Sequence, residues 1–381
     1  MNKLKTKIIN QFKADFGSAP DALIKAPGRV NLIGEYTDLN QGYVLPMAID
    51  RYLMAGVKKR QDRVIKIVSM DYNETMEIEL DQLTKGRHSW KDYIIGCMWA
   101  LHKNSYPLQG FDCVIAGNIP VGAGLSSSAA LELAMLRVAS WAADFPWEPV
   151  AMAKLGQLAE NEWVGVKCGI MDQIISAAGQ ENHALLIDCQ DLSYQACPIP
   201  ENASVIILDT STRRGLVDSA YNDRREQCFE AAKTLKVPFL RDATLPILEK
   251  ASDQMSEKRF KCAKHVITEN NRVLETATCM KNQDSERLGV LMAQSHMSLR
   301  DDFDVSDDAL NTIVACAMDN TSCFGARMTG AGFAGCAVAL VKKGMEAVFI
   351  KQVSAAYAKK MGMESQIYSC RASNGVMIEE L

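Results

Sequence analysis

The chain has 381 residues, 48% of them apolar and 23% charged, which is ordinary for a globular protein and long enough for two lobes. A formal net charge of −4 argues against nucleic acid as the main partner, and no apolar run approaches the length of a membrane helix. The twelve cysteines are scattered: there is no Cys-x-x-Cys, and Cys316 and Cys323 lack nearby histidines to build a zinc cage, so a reducing cytoplasm is the expected setting.

From the first residue to Ala14, Lys3, Lys5, Lys7 and Lys13 alternate with Leu4, Ile8, Ile9 and Phe12, which predicts an amphipathic helix rather than a signal peptide. The next segment, Lys25–Asp38, is the densest in chemistry. Its apolar run Val30, Leu32, Ile33 reads as a strand. Arg29, Asn31, Glu35, Tyr36, Thr37 and Asp38, braced by Pro27, Gly28 and Gly34, suit a grip on a polyhydroxylated molecule, because carboxylates accept paired hydrogen bonds from vicinal hydroxyls. A capped turn between two strands would use the same residues. Arg51–Lys58 and Arg63–Met70 alternate as strands, and Phe111, Cys113 and Ile115 mark another that runs into Gly117–Pro120.

Pro120–Ala130 then joins this strand to a helix whose face carries Leu131, Met135 and Val138. Gly122, Ala123, Gly124, Leu125, Ser126, Ser127 and Ser128 form a loop in which glycines permit close backbone approach. The exposed N–H groups of a helix start attract an anion, and the serine hydroxyls can cap the helix, hold phosphate oxygens or ligate a metal. No Lys-Ser/Thr follows the glycines, so this is not a Walker A loop, and Arg29 is the candidate for cationic help. Ala151–Val164 predicts a second helix with Glu160 near its end, and Asp172 follows the flexible Gly169. Either acid fits a catalytic task, and each also fits a plain structural one, a solvated position for Glu160 and a helix N-cap for Asp172.

A turn at Pro198–Pro200 precedes the buried strand Val205–Leu208, which sets lobes at 1–200 and 201–381. Helices are expected at Tyr221–Lys236, Ser256–Lys281, Asp284–Ser298 and Gly344–Met361, with strands at Cys336–Lys342 and Gln366–Ser369. The whole reads as α+β. A further glycine-rich segment, Met328–Cys336, enters the first of these strands.

Taken together, Gly28–Asp38, Pro120–Ser128 and Met328–Cys336 resemble the three motifs of the galactokinase family, within the superfamily of galactose, homoserine, mevalonate and phosphomevalonate kinases. Cys168–Gln173, Asp188–Cys189, Tyr221–Cys228 and Ser295–Phe303 extend the resemblance nearly end to end. It implies a two-lobed kinase with its active site in the cleft between the lobes, transferring the γ-phosphoryl of ATP to the anomeric hydroxyl of a galactose-like sugar. Asp172 is then the base or hydroxyl-orienting acid, and Arg29 holds it and stabilises transferring charge. Glu35, Tyr36, Thr37, Asp38, Gly169, Asp172 and Tyr221 bind the sugar, Gly122 through Ser128 bind ATP, and Ser128 and Glu160 hold Mg²⁺. The expected partners are the sugar and ATP, with no nucleic acid or membrane. The oligomeric state is not fixed by the sequence, and a monomer is compatible with it.

Four positions depart from the family pattern: Tyr36 stands for histidine, Leu39 for tyrosine, and Ala331 and Ala334 for glycine. Tyr36 falls where the resemblance places the C6 hydroxymethyl, so the sugar could be galactose, or L-arabinose if the ring fills that space, with N-acetylgalactosamine a further alternative for a related sugar 1-kinase. Galactose is the expected better substrate, because a site built to bond a hydroxyl discriminates strongly against analogues that lack it. The serine run and the acids favour an enzyme over a non-catalytic sugar sensor. The acid-rich first motif favours a sugar over mevalonate or homoserine.

Overall fold

The computed structural model describes residues 2–86, 89–120, 122–212 and 217–381; Met1 and Val121, included in the expected helix and loop, lie outside these. A six-stranded sheet runs in the order Met377–Glu380, Ala22–Asn31, Pro46–Lys59, Phe111–Gly117, Val64–Ser69, Glu74–Glu79. All its pairs are antiparallel except that between Val64–Ser69 and Phe111–Gly117. Helix Asn2–Phe16 covers one face with Ile8 and Phe12, packed on Leu23, Tyr52, Met54 and Val114, and its lysines face outward as the periodicity requires.

Ala22–Asn31 is buried along almost its whole length, which explains its apolar composition. Its pairing with Pro46–Lys59 shifts between Pro27 and Arg29, and this irregularity re-aims the strand just where the first motif begins. A side chain at Gly28 would collide with the Leu125 carbonyl and with Ile119, so only glycine lets the strand pass this close to the phosphate loop.

A second, four-stranded antiparallel sheet has the order Cys323–Met328, Cys336–Lys342, Ala203–Asp209, Gln366–Cys370. A three-stranded sheet, Tyr43–Val44, His183–Asp188, Tyr194–Pro198, completes the α+β fold. One large core lies under the first sheet and continues onto the second through Val205, Ile207, Val338 and Leu340. A second fills the space among the helices and strands after Ile206, and among the described residues Tyr36 is its one buried member from the first half.

Several elements differ from expectation. Ala151–Val164 is not one regular helix: an α-helix, Pro149–Leu158, widens into a π-helical turn over Ala159–Val164, where the Gly165 N–H bonds the Glu160 carbonyl. Apolar periodicity cannot separate the two forms, because one extra residue in a turn barely rotates the buried face. Helix Trp90–Lys103 was not anticipated, although Ser89 and Asp92 form a capping box at its start. Strand Met377–Glu380 returns to the first sheet and pairs with Ala22–Lys25.

Candidate active site

Four segments distant in sequence line one cavity of about 180 Å³: the tip of the first motif (Arg29, Glu35, Tyr36, Asp38), the stretch Val166–Asp172, Tyr221, and Gly330–Ala331. Asp172 sits in the first turn of helix Met171–Ala178, where the helix dipole favours an anion. Arg29 grips it with two parallel bonds, Nε to Oδ1 at 2.7 Å and Nη2 to Oδ2 at 2.6 Å, and Ser126 Oγ donates to Oδ2 as well. The third arm of the guanidinium, Nη1, donates to the Gly124 carbonyl at 2.5 Å. Arg29 is 6% exposed while the Asp172 side chain keeps 27% of its surface open, so the acid is fixed yet reachable from the cavity.

The loop before helix Ser127–Ala142 is wound through left-handed conformations at Gly122, Gly124 and Ser126. Ser126 makes no capping bond; its hydroxyl goes to Asp172. Ala123 and Leu125 are buried and anchor the loop. Ser127 and Ser128 stand on the rim of a second cavity, of about 280 Å³, walled by Leu53, Tyr72, Trp90, Tyr93, Ile115 and Leu131, with Tyr72 and Trp90 stacked parallel at 5.7 Å. None of these wall residues belongs to a motif. They come from separate strands and helices, and only the aromatic pair Trp90 and Tyr93, one turn apart, hinted at a stacking surface.

Expected sugar-binding residues behave differently from one another. Asp38 lines the first cavity with one oxygen bonded to the Leu39 N–H, and Gly169 is held so close to the other that any side chain there would overlap it. Burial, then the nearby Asp172 charge, pushes the Asp38 carboxyl up to about 7. Glu35 is 2% exposed and pairs with the fully buried Arg327 at 2.5 Å; burial raises its pKa and Arg327 opposes the rise. Tyr36 donates its hydroxyl hydrogen to the Ala331 carbonyl at 2.5 Å, and Tyr221 stacks against its ring with centroids 5.3 Å apart. Thr37 is a correction. It is fully buried, does not line the cavity, and bonds the carbonyls of Gly34 and Tyr43 at 2.8 and 2.6 Å, so it closes the turn and is out of a sugar's reach.

Glu160 lies behind Asp172, where Gln173 Nε2 and Cys168 Sγ both donate to its Oε2, at 2.8 and 3.2 Å. Gln173 also donates to the fully buried Glu132 at 3.0 Å. Burial lifts Glu160 to about 7, and burial and the Glu160 charge raise Glu132 as well. No hydrogen bond joins Ser128 to Glu160 among the described residues, so the two expected metal ligands are not brought into contact by the protein alone.

Residues 10–59 match the galactokinase galactose-binding signature, 92–180 the N-terminal domain of GHMP kinases, and 276–359 their C-terminal domain. A galactokinase of Roseiflexus sp. (strain RS-1) is 40% identical over 371 residues, covering 96% of this chain and 95% of its own. The structure of Lactococcus lactis galactokinase complexed with galactose is 32% identical and superposes with a TM-score of 0.95 over 98% of this chain and 99% of its own. The mevalonate kinase of Methanococcus jannaschii shares the fold, at 22% identity and a TM-score of 0.66 over 92% of this chain and 98% of its own. The two-lobed α+β fold and its arginine-held acid beside a glycine loop define a GHMP kinase, an enzyme that uses ATP. Within that class the chain belongs to the galactokinase family.

Proposed function

We propose that this enzyme transfers the γ-phosphoryl group of ATP to the anomeric hydroxyl of galactose, giving galactose 1-phosphate. The observation that carries this reading is the Asp172 carboxylate, held on two oxygens by Arg29 at the junction of the sugar-sized cavity and the phosphate loop. Phosphoryl transfer asks the protein mainly for positioning and charge stabilisation. Asp172 takes or orients the proton of the attacking hydroxyl. Arg29 fixes that acid and offers positive charge beside the loop, and Asp38 accepts ring hydroxyls. Tyr72 and Trp90 wall an apolar slot that continues from Ser127 and Ser128, which suits the purine of ATP.

The residues also fit Mg²⁺. The donors are all oxygen, among the described residues no ion pair reaches the Glu160 or Glu132 carboxyl, and there Glu132 Oε1 is buried without a hydrogen-bond partner. One or two protein ligands are what Mg²⁺ takes when phosphates and water complete its shell. Ser128 and Glu160 would hold it, and bound there it neutralises charge on the phosphates.

We further divide the chain near residue 200 into two lobes, supported by the start of the second sheet at Ala203, and place the protein in the cytoplasm, supported by the many scattered cysteines, which suit a reducing compartment. No helix among the described residues is long and apolar enough to cross a membrane. The deciding experiment is ATP turnover by the purified protein with Mg²⁺ and a panel of sugars. Galactose-dependent ADP release with a sugar 1-phosphate product is expected. Binding of sugar and ATP without turnover would mark a sensor, and a clear preference for arabinose would replace the galactose assignment.

A further inference from the structure

The loop from Gly34 to Tyr43 carries Glu35, Tyr36 and Asp38 to the sugar cavity, and one helix fastens it from outside. In helix Glu257–Lys281, the residues His265, Glu269, Asn270 and Val273 recur at the helical period and so share one face. Glu269 Oε1 accepts the Gly34 N–H at 3.0 Å, and Asn270 Oδ1 accepts the Tyr43 N–H at 2.8 Å. Between those two ends, His265 Nε2 donates to the Glu35 carbonyl at 3.2 Å. The approach is close: a side chain at Gly34 would collide with Val273, and one at Gly42 with Asn270. Glu269 is itself set in place, by Ser295 Oγ at 2.5 Å and by Arg272 Nε at 2.7 Å. Among the described residues, none from this helix lines the sugar cavity or the cavity beside Ser127 and Ser128.

We propose that Glu269 and Asn270 are positioning residues for the sugar. Side by side on a helix that stands clear of both cavities, they pin the two ends of the loop bearing Tyr36 and Asp38. A loop presents side chains in one geometry only if its backbone is fixed, and a misplacement of about 1 Å can cost about 10²-fold. A helix from the second half of the chain thereby sets part of the affinity for the sugar. The phosphate loop lies outside its reach, being tied instead to Arg29 and Asp172. This deepens the anomeric kinase reading and rests on it for the identity of the ligand.

The test uses Asn270→Ala, which removes the acceptor for the Tyr43 N–H. Galactose, or the sugar that the panel selects, is titrated by calorimetry without ATP, and KM is measured for sugar and for ATP. Turnover by the unmodified enzyme reports on the kinase reading alone, whereas the titration needs no turnover. The variant is expected to weaken sugar binding and raise the sugar KM by about 10- to 100-fold, with KM for ATP changed less than about threefold. Asn270→Asp keeps the acceptor, and Asn270 Nδ2 has no hydrogen-bond partner among the described residues to lose, so aspartate is expected to bind the sugar nearly as tightly as asparagine does. Gly42→Ala attacks the same contact from the loop side: its methyl would displace the Asn270 amide, and the same sugar-selective loss is expected. Met280→Ala, buried near the far end of the helix, opens a cavity and lowers Tm without touching the loop, and sugar affinity is expected to survive it. Unchanged sugar affinity in both Asn270→Ala and Gly42→Ala overturns the proposal. So does an equal loss for sugar and ATP, or a Met280→Ala variant that loses sugar affinity as strongly.

Discussion

Two arginine–carboxylate pairs stand within a few residues of each other along the first motif, and they do different work. Arg29 holds Asp172 with a quarter of the acid's surface left open, and Arg327 holds Glu35 with both partners sealed. In the first pair the cavity still sees an acceptor. In the second, the buried carboxylate takes the Asn31 side-chain amide and the Gly330 N–H, and it ties the end of strand Ala22–Asn31 to the end of Cys323–Met328. The same chemical pair leaves a reachable acid when partly open and makes a fastening when closed. What decides is how much of the carboxylate the fold leaves exposed.

The contrast breaks most visibly at Glu35→Gln. Removing one partner of a buried ion pair strands the other, at a cost of about 3–5 kcal/mol. Thermal denaturation of this variant is expected to show a large fall in Tm, and an unchanged Tm with weakened sugar binding would move Glu35 back among the sugar ligands. Asp172→Asn should do the reverse. It is nearly isosteric and partly solvated, so the fold is expected to survive while kcat drops by about 10²-fold or more and sugar affinity falls less. Near-normal turnover would reduce Asp172 to a structural partner of Arg29.

A smaller effect sharpens the comparison at Asp38, an acid with no cationic partner bonded to it among the described residues. Its pKa is raised to about 7 in the folded protein, first by burial and then by Asp172. Between the ordinary carboxylate value and about 7 the native state holds the extra proton, so this group lowers stability as pH rises through that window. Sugar hydroxyls donate to the ionised form. KM for the sugar is therefore expected to fall as pH rises from 6 toward 8, by at most about tenfold per unit, and Asp38→Asn should flatten the profile. A flat KM in the unmodified enzyme would remove Asp38 from sugar binding. Smallest of all is Ser128→Ala, which should raise the Mg²⁺ concentration needed for half-maximal activity while leaving Tm nearly unchanged. An unaltered Mg²⁺ titration would assign the hydroxyl to the loop alone.

What was legible in the sequence follows the range of the physics. The first motif and the phosphate loop could be read because their residues act within a few positions of one another. So could helices such as Glu257–Lys281, whose periodicity is long. Which members of the motif face the cavity could not be read. Thr37 and Asp38 are adjacent and equally polar, and only the turn geometry, with Thr37 bonded back to Gly34 and Tyr43, sends one inward and the other to the cavity wall. The same limit hid the partners of Glu35, since Arg327 and Gly330 lie almost 300 residues away. The Tyr72–Trp90 slot was hidden because loops and helices with no shared motif assemble it.

Strand Met377–Glu380 lies beside Ala22–Lys25, the root of the strand that carries Arg29. A ribosome delivers Arg29 long before this neighbour, so the sheet bearing Arg29 must wait, with an open edge, for a strand from the far part of the chain. An unpaired strand edge is a place where nascent chains join the wrong partner. A ribosome-stalled chain that exposes everything before Met377 is expected to hold a looser sugar site than the released protein, and to be more prone to aggregate.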